Sequence, residues 1–163
     1  MAKCRTKSKL AITKMLTENQ VIEAVCRFLE LNGWQIIKKA RTTQKGHDII
    51  ASKKGLGLKI EAKGETSDRQ GSARYGRPFD SAQCRDHVAN AFYSAAAALH
   101  TSGLSELVVG IALPKTPKHR ELVNDIKIAL DKLEIAVFWV DKDMRVNLDY
   151  NIPLKLSDKR KIT

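Results

Sequence analysis

Asp48, Glu61 and Lys63 are the residues of this 163-residue chain whose types and spacing could do chemistry together. Asp48 lies thirteen residues before Glu61, and Lys63 follows Glu61 by two. In an extended strand alternate side chains share a face, so Lys59, Glu61 and Lys63 point one way and Leu58, Ile60 and Ala62 the other. A row of charges opposite an apolar face is also what any half-exposed strand shows. The partner strand adds weight. His47–Ser52 reads as one strand and Leu58–Lys63 as the next, and the short glycine-bearing link Lys53-Lys54-Gly55-Leu56-Gly57 predicts a hairpin. Such a hairpin can bring the carboxylates of Asp48 and Glu61 together. Two carboxylates held close repel unless a proton or a cation lies between them. Hard divalent cations such as Mg²⁺ choose oxygen ligands of this kind, and Mn²⁺ is expected to substitute. The backbone carbonyl of Ala62 is a further oxygen donor. An ammonium at Lys63 could orient or help deprotonate an attacking water and offset phosphate charge. A site so composed suits hydrolysis of a phosphodiester.

The elements that must position these residues are legible in order. Thr17 with Gln20 three residues on has the spacing of a capping box, and Val21, Ile22, Val25, Phe28 and Leu29 recur at helical spacing to about Leu31, where Asn32-Gly33 stops the helix. Trp34–Arg41 reads as a strand and Thr42–Lys45 as a turn before the hairpin. Residues 64–80 form a long loop, of the kind that is functional or disordered inside a compact domain. Ser81–His100 reads as a helix whose alanines allow close packing on a sheet. Leu107–Leu113 and Ile135–Val140 are continuous apolar runs expected of strands covered on both faces. A helix over about His119–Leu133 separates them, and Arg145–Leu148 suits a short edge strand. Strands joined through helices pair in parallel by right-handed crossovers. The expectation is an α/β domain with a mixed central sheet in the order α-β-β-β-α-β-α-β.

Charge and composition bound the rest. The chain carries +11, of which +5 lies in residues 1–16 and +3 in residues 155–163. The middle is therefore only mildly basic, and basic tails that touch nucleic acid do so through phosphates without sequence choice. The longest apolar run is too short to cross a bilayer, so no membrane partner is expected. Cys4, Cys26 and Cys84 lack paired spacing, which suits a reducing cytoplasm and argues against a zinc site. Cys26 falls in an apolar helical pattern.

Gly46-His47-Asp48-Ile49-Ile50-Ala51 followed by Leu58-Lys59-Ile60-Glu61-Ala62-Lys63-Gly64 resembles the PD-(D/E)xK nuclease superfamily, the restriction-endonuclease-like fold, with His47 where the family usually has proline. The family core, a helix, a three-stranded meander, a helix and a strand, matches residues 17–113 in order. The resemblance implies a nuclease-like domain over residues 17–154 between a basic N-terminal arm (1–16) and a basic C-terminal tail (155–163). It implies Mg²⁺ held by Asp48 and Glu61, an attacking water assisted by Lys63, and DNA as substrate, in a restriction, defence or repair setting. Many members add a glutamate from the first helix. Glu18 shares a face with Val21, Ile22 and Val25 and is favoured over Glu23, which lies on the polar face. As a first-turn acid Glu18 would equally complement the helix dipole. Some relatives carry a glutamine on the helix after the motif, where Gln83 stands, with His87 one turn on. The stretch from Glu18 to Ala51 together with Ile60–Lys63 also resembles archaeal Holliday junction resolvases, whereas Glu106–Pro114 and Ile135–Met144 look more like restriction-type nuclease domains.

Arg69, Arg74, Tyr75 and Arg77, on the loop after the motif, could grip phosphates or a base. Lys115, Lys118, His119 and Arg120 form a second candidate phosphate-binding edge. A non-catalytic nucleic-acid-binding module on the same fold and an RNA-directed nuclease are the competing readings. Double-strand cutting would call for two active sites, hence a homodimer or transient pairing.

Overall fold

The structure is a computed structural model that describes residues 15–40, 46–102 and 107–149. The turn at Thr42–Lys45, most of the basic arm and the whole of the tail fall outside the described residues. The elements run α1 (Glu18–Leu31), β1 (Gln35–Lys39), β2 (Ile49–Lys53), β3 (Leu56–Ala62), α2 (Ser81–Ser102), β4 (Leu107–Pro114), α3 (Pro117–Asp125), α4 (Lys127–Lys132), β5 (Ile135–Val140) and β6 (Val146–Leu148). All six strands join one mixed sheet in chain order. β1–β2, β2–β3 and β5–β6 pair antiparallel, and β3–β4 and β4–β5 pair parallel. The protein is thus an α/β domain with helices on both faces of a mixed sheet.

The hairpin is tighter than the sequence suggests. Lys53 pairs with Leu56, leaving Lys54 and Gly55 as a two-residue turn. Both have positive φ, 50° and 84°, the backbone of a type I′ turn whose twist matches the strands it joins. The predicted helix over His119–Leu133 is instead two helices meeting at Ile126. The break follows Asn124-Asp125, whose short polar side chains compete with helical backbone bonds. A second difference lies at the start. Leu16, assigned to the arm from sequence, is 1% exposed and packs in the core.

Each sheet face has its own core. On one, Val21, Ile22, Val25 and Leu29 of α1 pack on Ile49, Ala51, Leu58, Ile60 and Ala62. On the other, Ala91, Ala95 and Ala98 of α2 meet Val109, Ile111 and Leu113 of β4. Both faces of β4 and β5 are buried, as their continuous apolar runs require.

The start of α1 is seated against the end of β3. Thr17 caps the helix through the expected reciprocal bonds with Gln20. Leu16 N–H donates to Glu65 Oε1 at 2.7 Å, and Glu65 N–H donates back to the Leu16 carbonyl at 2.8 Å. Asn19 N–H, one of the unsatisfied donors of the first turn, donates to Asp68 Oδ2 at 3.1 Å. Gly64 permits this approach. A Cβ there would stand 2.5 Å from Glu18 N and 2.8 Å from Thr17 C. Gly64→Ala is expected to destabilise the fold by about 1–3 kcal/mol, the usual cost of overpacking, read as a lower urea midpoint at unchanged slope. A midpoint equal to wild type would show that α1 does not press on this glycine.

Candidate active site

β2 stops pairing at Ile49, opposite Ile60. Continuing that register by one step sets Asp48 across from Glu61, on the face away from α1. The carbonyl of Asp48 still accepts from Ala40 N–H at 2.7 Å. Its side chain takes over on the other side, where Oδ2 accepts from Ala62 N–H at 2.7 Å. Asp48 is buried. Burial first, and then the Glu61 charge, raise its pKa against the pull of the Ala62 bond.

Lys63 Nζ donates to Glu61 Oε1 at 2.7 Å and lies 3.8 Å from Glu18 Oε2. These side chains are largely enclosed, with exposures of 15% for Lys63 and Glu61 and 19% for Glu18. Burial alone would lower the lysine's pKa, but its bond to Glu61 and the charges of Glu61, Glu18 and Asp48 outweigh burial and raise it. Glu18 is pushed up to about 7, chiefly by burial, with Lys63 opposing and Asp48 and Glu61 adding to the rise. Glu23, the alternative helix glutamate, instead pairs with Lys39.

Three carboxylates and one ammonium therefore share this corner, with burial penalising the negative charges of Glu18 and Asp48. A divalent cation would relieve that excess, so the donors fit one. Among the described residues no group of three or more His, Cys, Asp or Glu side chains is arranged to hold a metal. Mg²⁺ commonly takes only one or two protein carboxylates and completes its shell with waters and phosphate, so the smaller number of carboxylates here is chemically compatible with it.

The other sequence candidates are spread around this corner. The 64–80 loop is ordered by its own bonds. Thr66 Oγ1 donates to the Arg74 carbonyl at 2.8 Å, and Phe79 N–H donates to the Glu65 carbonyl at 2.9 Å. Arg69, Tyr75 and Arg77 are exposed on it, while Arg74 bridges to Asp80 at 2.6 Å. Gln83 is occupied in capping α2, accepting from Asp80 N–H at 3.2 Å while Asp80 Oδ1 accepts from Gln83 N–H at 2.9 Å. Lys118 pairs with Glu121, and Lys115 is exposed. His87 packs edge-on against Phe79 with ring centroids 4.6 Å apart. Burial and then the nearby Lys63 charge lower its pKa.

His119 does not belong to a phosphate-binding edge. It is 1% exposed, with Nδ1 2.7 Å from Thr116 Oγ1 and Nε2 buried without a hydrogen-bond partner. Burial, then His87, depress its pKa to about 4. No local pattern signals this, because its neighbours, His87 of α2 among them, are distant in the chain. In the unfolded chain this histidine protonates near its ordinary 6.5, so folding stability contributed by neutral His119 is present above that pH and is lost as pH falls toward 4. By pH 5 the loss is about 2 kcal/mol. Urea midpoints at pH 7.5 and 5.0 test it: His119→Leu is expected to lose less on acidification than wild type, and equal losses would refute the assignment.

No family model and no curated protein matches the chain. Among solved structures it is similar to an XisH family protein from Nostoc punctiforme, at 20% identity and TM-score 0.48, covering 80% of this chain and 95% of that one. A likeness that distant carries no functional argument, so function must be read from the side chains of this chain. Among the described residues no helix is long and apolar enough to cross a membrane.

Proposed function

We propose that this protein is a Mg²⁺-dependent endonuclease of the PD-(D/E)xK, restriction-endonuclease-like kind that hydrolyses phosphodiester bonds in DNA. The observation that carries the reading is Lys63, enclosed between Glu61 and Glu18 and beside buried Asp48. Asp48 and Glu61, with the Ala62 carbonyl, would hold the ion. When bound, Mg²⁺ supplies Lewis acidity toward a phosphate oxygen and lowers the pKa of a coordinated water.

The protein's own groups do the rest. The Ala62 N–H fixes one oxygen of Asp48 and so orients the other. Lys63, hydrogen-bonded to Glu61 and close to Glu18, is placed to orient or help deprotonate the attacking water and to balance phosphate charge. Glu18, partly protonated near pH 7, holds Lys63 from the α1 side. Cutting both strands of a duplex would require a second site, supplied by a homodimer or by transient pairing.

Purified protein is expected to cleave DNA with Mg²⁺ or Mn²⁺ and to stop on chelation. Lys63→Met should slow cleavage about 100- to 1,000-fold, as does loss of a charge-stabilising donor elsewhere. Glu18→Gln should slow it about 10- to 100-fold, the range for groups that support a ligand or catalyst. Asp48→Ala or Lys63→Ala cutting as well as wild type would sink the site assignment. The competing reading is a non-catalytic nucleic-acid-binding module on the same fold. Wild type that binds DNA yet cuts none with either metal would decide for that module.

A further inference from the structure

The face of the sheet away from α1 is covered unevenly. Among the described residues α2 packs chiefly on β3 and β4, and no helix packs to a comparable extent on the same side of β1 and β2. Lys38, Ile50 and Lys59 stand opposite one another in a cross-strand row on that open side, one step from the Asp48–Glu61 row. His47 lies beside them. Its pKa is lowered by burial first and then by the Lys59 and Lys38 charges, which places both ammonium groups near it. A Cβ on Gly46 would come within 3.1 Å of Lys38 Nζ.

Between Gly46-His47 and the second half of α2 opens a cleft of about 460 Å³, lined also by Glu61 and by Tyr93, Ser94, Ala97, Ala98 and Thr101 of the helix. That volume is in the usual range of small-ligand sites. Glu61, a residue of the candidate active site, reaches its wall. On the other side the helix offers small side chains and one large one. Tyr93 is 74% exposed, a flat aromatic ring beside an open space. Ser94, Thr101 and His47 bring polar groups to the rim. A stacking ring, a few hydrogen-bonding groups and two neighbouring cations match the needs of one nucleotide: a face for its base, partners for its edges and charge for its phosphate.

We propose that this cleft takes an unpaired base next to the bond being cut, stacked on Tyr93. The inference rests on the nuclease reading and narrows it. Inside a continuous duplex both faces of a base are covered by its neighbours, so only an unpaired or extruded base can offer one to Tyr93. The substrate class is then DNA with a single-stranded stretch at the cleavage point, such as a nick, flap, junction or frayed end.

Binding tests this without relying on cleavage. The probes are a short single-stranded oligonucleotide carrying one fluorescent adenine analogue and the matching duplex. The protein is the full chain with Asp48→Asn, or wild type without divalent metal if that variant does not fold. Binding of the single strand should quench the analogue. Tyr93→Ala should weaken single-strand binding about 5- to 100-fold, the range for loss of a base–aromatic stack, and abolish the quench. Duplex binding should be unchanged, and Tyr93→Phe should behave as wild type. Because Tyr93 is exposed, the alanine variant should keep the wild-type circular dichroism, with Tyr93→Leu as a second non-aromatic test. Equal effects on single strand and duplex, or no quench, overturn the proposal. The two readings fail separately. If wild type cuts nothing but Tyr93-dependent binding persists, the nuclease reading falls and the cleft stands. If wild type cuts and Tyr93→Ala keeps its ratio of single-strand to duplex cleavage, the cleft falls alone.

Discussion

Enclosed charge is the constraint around which this fold is arranged. Lys63 cannot sit 15% exposed without partners, and neither can the carboxylates around it. Each partner comes from a different element. Glu61 comes from β3 itself, Asp48 from the approach to β2, and Glu18 from the first turn of α1. The structure must hold three independently folded pieces in register for any one of these charges to be tolerated. The bonds between Leu16 and Glu65, and from Asn19 to Asp68, fasten α1 to the chain leaving β3. The 64–80 loop thus clamps the site before it reaches α2.

The two faces of the sheet divide the work. α1 with its apolar stripe closes one face and delivers Glu18 at its tip. α2 closes only part of the other, because alanines at 91, 95 and 98 bring it tightly onto β4. Close packing at β4 leaves the outer strands open on that side. The charged row of β3 can therefore be reached from solvent, although its opposite face is core.

Much of this was legible from sequence where a residue's partners lie nearby in the chain. The Thr17–Gln20 cap, the hairpin around Gly55 and the alternation along Leu58–Lys63 are local patterns, and they appear in the structure with small shifts of boundary. The sides of α1 on which Glu18 and Glu23 lie were also readable, since helical phase alone separates the side that meets Lys63 from the side that meets Lys39. What failed depended on distant neighbours. His119 looked like one member of a basic edge because nothing within a few residues reveals that α2 covers it. Leu16 looked like arm because its partner Glu65 is 49 residues away. Gln83 is a nearer case, engaged by Asp80 three residues earlier in a reciprocal cap. Tyr93 stands among alanines in sequence, and only the folded chain sets a cleft beside its exposed ring.

The seating of α1 on the segment after β3 also sets an order of events during synthesis. The helix leaves the ribosome first, and the residues that receive it follow 49 positions later. At ordinary translation speeds that is a wait of roughly 2–10 s. Until β3 has followed β1 and β2 out, Val21, Ile22, Val25 and Leu29 lack part of the sheet that covers them. The β2–β3 hairpin can close as soon as it emerges, holding Asp48, Glu61 and Lys63 without Glu18. A nascent chain therefore passes through a stage with an exposed greasy helix and an incomplete charge cluster.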